Sequence, residues 1–355
     1  MILLSTKKSF KISQKLLSIM KILIIKLGAI GDVIRTTSIL SGLKAKHKNC
    51  GIDWVTKEES LDILKNNTLI NRVYTLGQNT VNKLKNQKYD LVVCLDDDYS
   101  ACELSSGIKP KRIIGAYLKN NQESYTKDSA IWFDMGLLSR FGKQKADALK
   151  AKNKKTYQAI MYKILGLQYR KQEPILALDE KELAFAKEFA KKNYIKKTDI
   201  VIGINTGASG RWQDKKLSIE KTAELSDKLN REINNVKLIL FGGPEEKDRN
   251  QKIKKLLKTK IIDAGCNNSL MEFASLVDLC DVIVTSDSLA LHIGVALKKK
   301  IAAFFGPTSS SEIELYSRGV KIIPKIGCLC CYKPKCDVPP VYEINDIVNS
   351  VRKLA

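Results

Sequence analysis

The sequence predicts an α/β protein with two parallel β-sheets. Short apolar runs alternate with helical patterns along almost its whole length, which is typical of sheets built from βαβ units. These runs form two series, separated by a lysine-rich, helical-looking region at 143–166. The length of 355 residues, divided by roughly 150 for an average domain, also favours two domains. We therefore expect two Rossmann-like halves.

The predicted strands divide the chain near residue 178. Pro174 ends one element, and Asp179 can cap the helix that follows. This gives an N-terminal domain at 20–178 and a C-terminal domain at 179–342. The strands of the first domain are predicted at 21–26, 52–55, 90–95 and 112–116, and those of the second at 199–205, 236–241, 260–265, 281–286 and 300–306.

Both ends of the chain are expected to lie outside these domains. Residues 1–19 are expected to be an N-terminal extension, either from a start upstream of Met20 or as an amphipathic surface helix. They lack the continuous apolar segment and the cleavage site of a signal peptide. No run reaches the roughly 18 apolar residues of a membrane span, so we expect a cytoplasmic protein. Residues 343–355 predict an amphipathic helix that packs back on the N-terminal domain, its apolar face formed by Ile344, Ile347, Val348 and Val351.

The charge is strongly basic. Lys and Arg number 61 against 38 Asp and Glu, which leaves a net charge of +23. Such an excess favours a polyanionic partner, although a lysine-rich proteome would produce the same surface. The lysines are spread along the chain rather than clustered as arginines with aromatic residues, so nucleic acid is the weaker hypothesis.

The first strand runs into a glycine turn and then a helix, in the sequence LGAIGDVIRTTSIL. Gly28 and Gly31 permit the tight turn and close approach that a phosphate or sugar site needs. Asp32 follows on the first turn of the helix, at the carboxyl edge of the strand. It is either a catalytic group or a helix N-terminal acid favoured by the macrodipole.

The second half repeats the strand, loop and helix pattern in INTGASGRWQDKKLS. The small residues at 206–210, which include Ser209, can bring N–H groups to a phosphate that Lys215 or Lys216 neutralises. The alternative is a solvated turn. In the later FGGPEE segment, Glu245 or Glu246 can accept hydrogen bonds from ribose hydroxyls.

A third motif, SDSLALHIGVALKKK, lies between a buried strand and a helix. Free N–H groups at Ser288, Leu289 and Ala290 form an anion site suited to a diphosphate. His292 follows on the same helix, and either binds ligand or packs in the core.

The tail IGCLCCYKPKCD holds a cluster of thiols. Cys328, Cys331 and Cys336, with Cys330 as a fourth candidate, can bind zinc or iron. A closed zinc site prefers a second paired half, and no His lies nearby, so we expect a structural thiol cluster without metal.

Together these motifs resemble glycosyltransferase family 9, the ADP-heptose lipopolysaccharide heptosyltransferases, over residues 20–336. The resemblance implies a GT-B fold, with two Rossmann-like domains facing a central cleft. It also implies a metal-independent, inverting transfer of heptose from ADP-heptose to a lipopolysaccharide inner-core or related lipid-linked acceptor. The expected partners are that donor, an anionic glycolipid and the inner leaflet of the cytoplasmic membrane, with no further cofactor and no nucleic acid.

The resemblance also implies residue roles. Asp32 matches the general base, and Lys215 the lysine that stabilises the leaving diphosphate. Asp287 matches the acid that holds heptose hydroxyls, and Glu246 the ribose contact. Residues 288–290 and His292 match the diphosphate cradle.

This chain departs from the family pattern at three places. Leu217 and Ser218 stand where a Trp-Pro pair usually follows the lysine-rich loop. Leu289 stands where the family usually has glycine. Arg35, in the acceptor-side loop with Gly28 and Gly31, stands where many lipopolysaccharide enzymes carry His. Transfer of another nucleotide-activated sugar to a protein or capsule is therefore the alternative.

Overall fold

The structure is a computed structural model. It describes residues 19–208, 210, 213–324, 329–333, 338 and 340–355. The N-terminal extension up to residue 18, Ser209, Cys328 and Cys336 lie outside the described residues.

The first domain is a six-stranded sheet in the order β3-β2-β1-β4-β5-β6. Its strands are parallel except β6, which pairs antiparallel with β5. The strands are β1 Lys21–Ile25, β2 Gly51–Thr56, β3 Arg72–Thr75, β4 Leu91–Cys94, β5 Arg112–Lys119 and β6 Gln122–Tyr125; the helices are α1 Ile30–Thr36, α2 Ile39–Lys46, α3 Leu61–Lys65, α4 Gln78–Lys85, α5 Tyr99–Gly107, α6 Ala130–Phe133, α7 Lys143–Lys152 and α8 Tyr157–Ile164.

The second domain is a fully parallel sheet in the order β12-β11-β10-β7-β8-β9. The strands are β7 Ile200–Asn205, β8 Val236–Phe241, β9 Ile262–Asp263, β10 Val282–Ser286, β11 Lys300–Phe304 and β12 Gly319–Ile322; the helices are α9 Glu180–Lys192, α10 Ile219–Glu232, α11 Lys247–Leu256, α12 Leu270–Asp278, α13 Leu289–Ala296 and α14 Ile344–Leu354.

Both sheets therefore have the 3-2-1-4-5-6 order of the Rossmann fold, counted within each domain. The two middle strands of each sheet, β1 with β4 and β7 with β10, are buried except at their ends, as in Ile22 to Ile25 of β1. They are buried because helices cover both faces of each sheet. In this order the strand connections change direction between β1 and β4, and between β7 and β10. Ligands bind beyond the carboxyl ends of strands at such a switch point.

The start of the second domain confirms the predicted helix cap. Asp179 accepts hydrogen bonds from the N–H groups of Lys181 and Glu182 at 3.0 and 3.2 Å. Glu182 accepts one from the N–H of Asp179 at 2.9 Å, which completes a capping box on α9.

The prediction for the terminal helix is confirmed in part. Ile344, Ile347, Val348 and Val351 are buried on one face of α14, as expected. The expected docking on the first domain is wrong, because α14 packs against α10, β11 and β12 of the second domain. Its apolar face completes the core on that side of the second sheet.

No helix within the described part of the chain is both long enough and apolar enough to cross a membrane.

Candidate functional site

A cleft of about 700 Å³ lies between the two domains. One wall is the loop after β1 and the first turns of α1. The opposite wall is formed by the loops after β7, β8 and β10, together with the start of α13. Both switch points therefore open into one cavity. Among its lining residues are Gly31, Asp32, Arg35, Lys215, Glu246, Asp287, Ser288, Leu289, Ala290 and His292.

Asp32 lies in the first turn of α1 and faces this cleft. Its carboxylate pairs with Arg35 Nη2 at 2.8 Å, and one third of the side chain remains exposed. Burial by itself would raise the pKa of Asp32, but Arg35, Lys26 and His292 outweigh it and hold the pKa below its usual value. The carboxylate is thus ionised at neutral pH and able to accept a proton.

Arg35 links the two domains around that carboxylate. Its guanidinium lies 3.8 Å from the ring centroid of Tyr157. Its Nη1 lies 3.8 Å from a carboxylate oxygen of Glu312, which belongs to the second domain. The backbone N–H of Tyr157 also donates to the carbonyl of Glu312 at 2.9 Å. Arg35 therefore has the geometry to orient Asp32 and to connect the two walls.

The two glycines of the first loop have different surroundings. At Gly31 an added Cβ would overlap the ring of His292, so the absence of a side chain lets α13 approach α1 closely. At Gly28 an added Cβ would meet no atom of the described residues within 4 Å. The N–H of Gly28 donates to Asp96 at 3.3 Å, and the same carboxylate pairs with Lys26 at 3.1 Å.

Lys215 and Asp287 form a buried pair on the opposite wall. Lys215 Nζ lies 3.2 Å from Asp287 Oδ2 and donates to the Asp287 carbonyl at 2.9 Å. Thr308 donates to the same carboxylate at 2.6 Å. Burial would raise the pKa of Asp287, but Lys215, His292 and Thr308 lower it overall. Asp287 is therefore charged and holds Lys215 in the cleft.

His292 lies between the two aspartates. Its Nε2 is 3.8 Å from Asp287 Oδ1. Burial, assisted by the charge of Arg35, lowers the pKa of His292 to about 4 against the opposing pull of both carboxylates. At neutral pH the ring is uncharged, so it acts as a dipole and a packing surface.

The second lysine of the motif has another partner. Lys216 Nζ pairs with Glu246 at 2.8 Å, and both side chains are buried. Glu246 also accepts a hydrogen bond from the N–H of Gly243 at 3.1 Å. The sequence left Lys215 and Lys216 as alternatives for neutralising the phosphate. In the structure the two lysines have different partners, with Lys215 beside Asp287 and Lys216 beside Glu246.

The start of α13 faces the cleft, and no side chain among the described residues caps it. Ser288, in an extended conformation, precedes the helix, and Leu289 and Ala290 begin it. The Ser288 hydroxyl contacts Thr285 at 2.9 Å and accepts from Asn205 at 3.1 Å. The amide N–H groups of the first turn are thus directed at a site suited to an anion.

Asn205 is a site residue that the sequence analysis missed. Besides Ser288, it donates to the carbonyl of Gly207 at 2.8 Å and to Thr285 at 3.2 Å, and so ties the β7 loop to the β10 loop. Its position as the last residue of a strand at the switch point was the available signal.

A smaller cavity of about 320 Å³ adjoins the cleft on the side of the first domain and shares Asp32 with it. Gly28 and three successive acids, Asp96, Asp97 and Asp98, line it. Oxygens of these acids lie within 4.8 Å of one another, close enough to hold a cation. This cavity offers space next to Asp32 for a second substrate.

The thiol cluster remains a prediction, because only part of it is described. Cys330 and Cys331 are partly buried and form no disulfide with another cysteine in the described part of the chain. Tyr332 lines the main cleft and accepts a hydrogen bond from the N–H of Ser309 at 3.1 Å. The tail therefore reaches the site through Tyr332.

Comparisons with known proteins find similar lipopolysaccharide heptosyltransferases. The chain is 25% identical over 321 residues to lipopolysaccharide heptosyltransferase 1 of Campylobacter coli, an alignment that covers 86% of this chain and 89% of that protein. It is 27% identical over 115 residues to lipopolysaccharide heptosyltransferase 3 of Escherichia coli, which covers 29% of this chain and 32% of that protein.

Two solved structures share the fold. A glycosyl transferase family 9 protein from Veillonella parvula has a TM-score of 0.76 at 19% identity, covering 94% of this chain and 97% of that one. The E. coli ADP-heptose LPS heptosyltransferase II has a TM-score of 0.67 at 19% identity, covering 94% and 98%. The predicted GT-B fold is confirmed.

The model of glycosyltransferase family 9 (heptosyltransferase) matches residues 78–341. Since that match spans well over half of the chain and its relatives are lipopolysaccharide heptosyltransferases, the protein belongs to glycosyltransferase family 9 and is a heptosyltransferase-type glycosyltransferase.

Proposed function

We propose that this enzyme transfers a heptose from ADP-heptose to a sugar hydroxyl of a lipopolysaccharide inner core or a related lipid-linked acceptor. The proposal rests on one observation. Asp32 faces the Lys215 and Asp287 pair and the start of α13 across a single cleft, which supplies a base on one wall and a diphosphate site on the other.

The donor half of the proposal follows from the second domain. The diphosphate lies against the N–H groups of Leu289 and Ala290, where the helix dipole favours negative charge. Lys215 balances the charge that develops on the leaving diphosphate, a contribution of about 10²- to 10³-fold in rate for one well-placed donor. Glu246 keeps free lone pairs for ribose hydroxyls, because each carboxylate oxygen accepts more than one hydrogen bond.

The acceptor half follows from the first domain. The attacking hydroxyl approaches from the smaller cavity and lies within hydrogen-bond reach of Asp32. As its oxygen bonds to the anomeric carbon, the bond from that carbon to the diphosphate breaks. The hydroxyl proton passes to Asp32, and the electron pair leaves with ADP. Attack from the side opposite the diphosphate inverts the anomeric centre.

We infer that the reaction needs no metal ion and no cofactor beyond the donor. Lys215 and the helix start supply positive potential where a divalent cation would otherwise act. The proposed place of action is the cytoplasmic face of the inner membrane, where a peripheral enzyme meets an anionic glycolipid.

Donor turnover tests the proposal. Purified enzyme and a delipidated core acceptor are incubated with ADP-heptose, and in parallel with GDP- and UDP-sugars. We expect release of ADP from ADP-heptose alone, at a rate unchanged by EDTA. Turnover of a GDP- or UDP-sugar instead would contradict ADP-heptose as the donor. Loss of activity in EDTA would contradict metal independence.

A further inference from the structure

We propose that residues 137–155, here called the basic segment, form the surface that docks on an anionic lipid bilayer. This proposal deepens the peripheral-membrane part of the proposed function, and names the part of the chain responsible.

The basic segment concentrates positive charge. It holds seven basic residues and a single acid, Asp147, and so carries about a quarter of the net charge in about a twentieth of the chain. Lys145, Lys152, Lys154 and Lys155 are all exposed. Clustered lysines attract an anionic surface far more strongly than the same charges spread over a molecule.

The same segment exposes two large apolar side chains. Leu137 is 91% exposed, more than any other large hydrophobic residue in the described part of the chain, and Phe141 is 44% exposed. Single exposed apolar residues are ordinary on protein surfaces. Two of them within a lysine cluster are the combination that interfacial membrane binding uses, since the apolar groups insert while the cations contact head groups.

The surroundings of Phe141 favour a bilayer over a nucleic acid. Arg140 lies 5.0 Å and Lys145 lies 4.6 Å from the centroid of its ring. Cations already cover the ring, so its face is not available for stacking on a base. Inserting the ring between lipids keeps those cations at the level of the head groups.

The position of the basic segment suits this task. Ala146 is buried and Leu149 is partly buried, so α7 rests on the core, while Lys145 and Lys152 on the same helix are exposed. Lys150 lines the main cleft and lies 4.0 Å from the ring centroid of Tyr332. The docking surface thus runs up to the cleft, which brings a lipid-anchored acceptor to Asp32 without extracting its acyl chains.

The test is co-sedimentation of the full chain with vesicles, without nucleotide or acceptor. Vesicles of phosphatidylcholine alone are compared with vesicles containing one part phosphatidylglycerol to two parts phosphatidylcholine. We expect binding to the anionic vesicles only. The K145Q/K152Q/K154Q variant should bind about 10²-fold more weakly, at roughly fivefold for each of the three charges removed. The L137S/F141S variant should also bind more weakly.

A matched control comes from the second domain. Lys191, Lys192 and Lys196 are exposed near Tyr194 in the sequence, and Tyr194 is itself 80% exposed. This region therefore also combines exposed lysines with an exposed aromatic side chain. The K191Q/K192Q/K196Q variant should keep wild-type vesicle binding. An equal loss in this control, or unchanged binding in the variants of the basic segment, would overturn the proposal.

Two further readouts separate this proposal from the proposed function. The basic-segment variants should turn over ADP-heptose with a delipidated acceptor at the wild-type rate, and be slower only with acceptor in vesicles. Failure of all turnover would refute the proposed function while leaving the vesicle result intact. If the basic-segment variants lost oligonucleotide binding at physiological salt but bound vesicles like the wild type, the membrane assignment would be overturned in favour of nucleic acid.

Discussion

Gly31 lies at a close contact between the two domains, and Gly31→Ala tests whether that contact matters for transfer. A Cβ at residue 31 would lie 3.2 Å from Cγ and Nε2 of His292, and closer still to Cδ2. His292 is only 13% exposed and sits on α13, which packs against α1. The clash is therefore between domains, and neither domain is strained by itself.

The size of the effect follows from the geometry. To restore ordinary carbon–carbon contact, the His292 ring or its helix must withdraw by about 1 Å. A displacement of about 1 Å in a catalytic arrangement can lower the rate about 10²-fold, or ~2.7 kcal/mol. Alanine is also a better helix former than glycine by about 1 kcal/mol, so α1 itself should not lose stability.

Steady-state transfer and denaturant unfolding measure the two sides of this prediction. We expect Gly31→Ala to lower kcat/KM about 10²-fold while the unfolding free energy changes by less than about 1 kcal/mol. In a His292→Ala background Gly31→Ala should lower kcat/KM much less, because the clashing ring is gone. Gly77→Ala, where an added Cβ meets nothing within 4 Å, serves as the control. If Gly31→Ala lowered kcat/KM by the same factor in the wild-type and His292→Ala backgrounds, the reasoning would be refuted.

Three further predictions concern the second domain. Lys215→Gln should lower kcat about 10²- to 10³-fold. Lys216→Gln should chiefly raise the KM for the donor. Equal losses of kcat in the two variants would contradict their separate roles. The pKa of His292 is about 4, below the ~6.5 of an unfolded chain, so the unfolded state binds an extra proton between these values. Stability should therefore fall as pH drops from 6.5 towards 4, by ~2 kcal/mol at pH 4.5, and denaturant unfolding of His292→Gln should lack this part of the loss. Ile347→Ala should cost about 2–5 kcal/mol of unfolding free energy, because that side chain is fully buried between α14 and the rest of the second domain. A cost below about 1 kcal/mol would contradict the observed docking.

The architecture was predictable because parallel strands buried on both faces leave continuous apolar runs. Three short strands were missed, since edge strands such as β3 and β12 are only partly buried and carry polar residues. The β5 and β6 hairpin did leave a signal. Asn120 and Asn121 both have positive φ, at 51° and 59°, as a two-residue turn with matching twist requires.

The helix at the end of the chain shows what the pattern alone cannot supply. Its four apolar positions predicted an amphipathic helix, and the structure buries all four. Which domain it covers depends on where the second sheet leaves apolar surface uncovered. That surface is formed by residues of β11 and α10 far apart in sequence, so no local pattern reveals it.

Candidate site residues were predictable where they follow buried strands at loops rich in small residues. Asp32 and Asp287 are such cases, and both line the cleft. The contacts between the walls were not predictable. Arg35 lies beside Glu312, and Gly31 beside His292, because the two domains are in contact there. Pairing of this kind joins residues more than 250 positions apart and leaves no trace in either local motif.

The central claim is that Asp32 takes the proton from the acceptor hydroxyl. The most direct measurement is the single-turnover rate of heptose transfer by Asp32→Asn, with ADP-heptose affinity measured on the same preparation. Asparagine keeps the size of the side chain but cannot act as a base at neutral pH. We predict a rate lower by about 10²- to 10⁴-fold, with donor affinity close to wild type. A transfer rate within a few-fold of wild type would contradict the account.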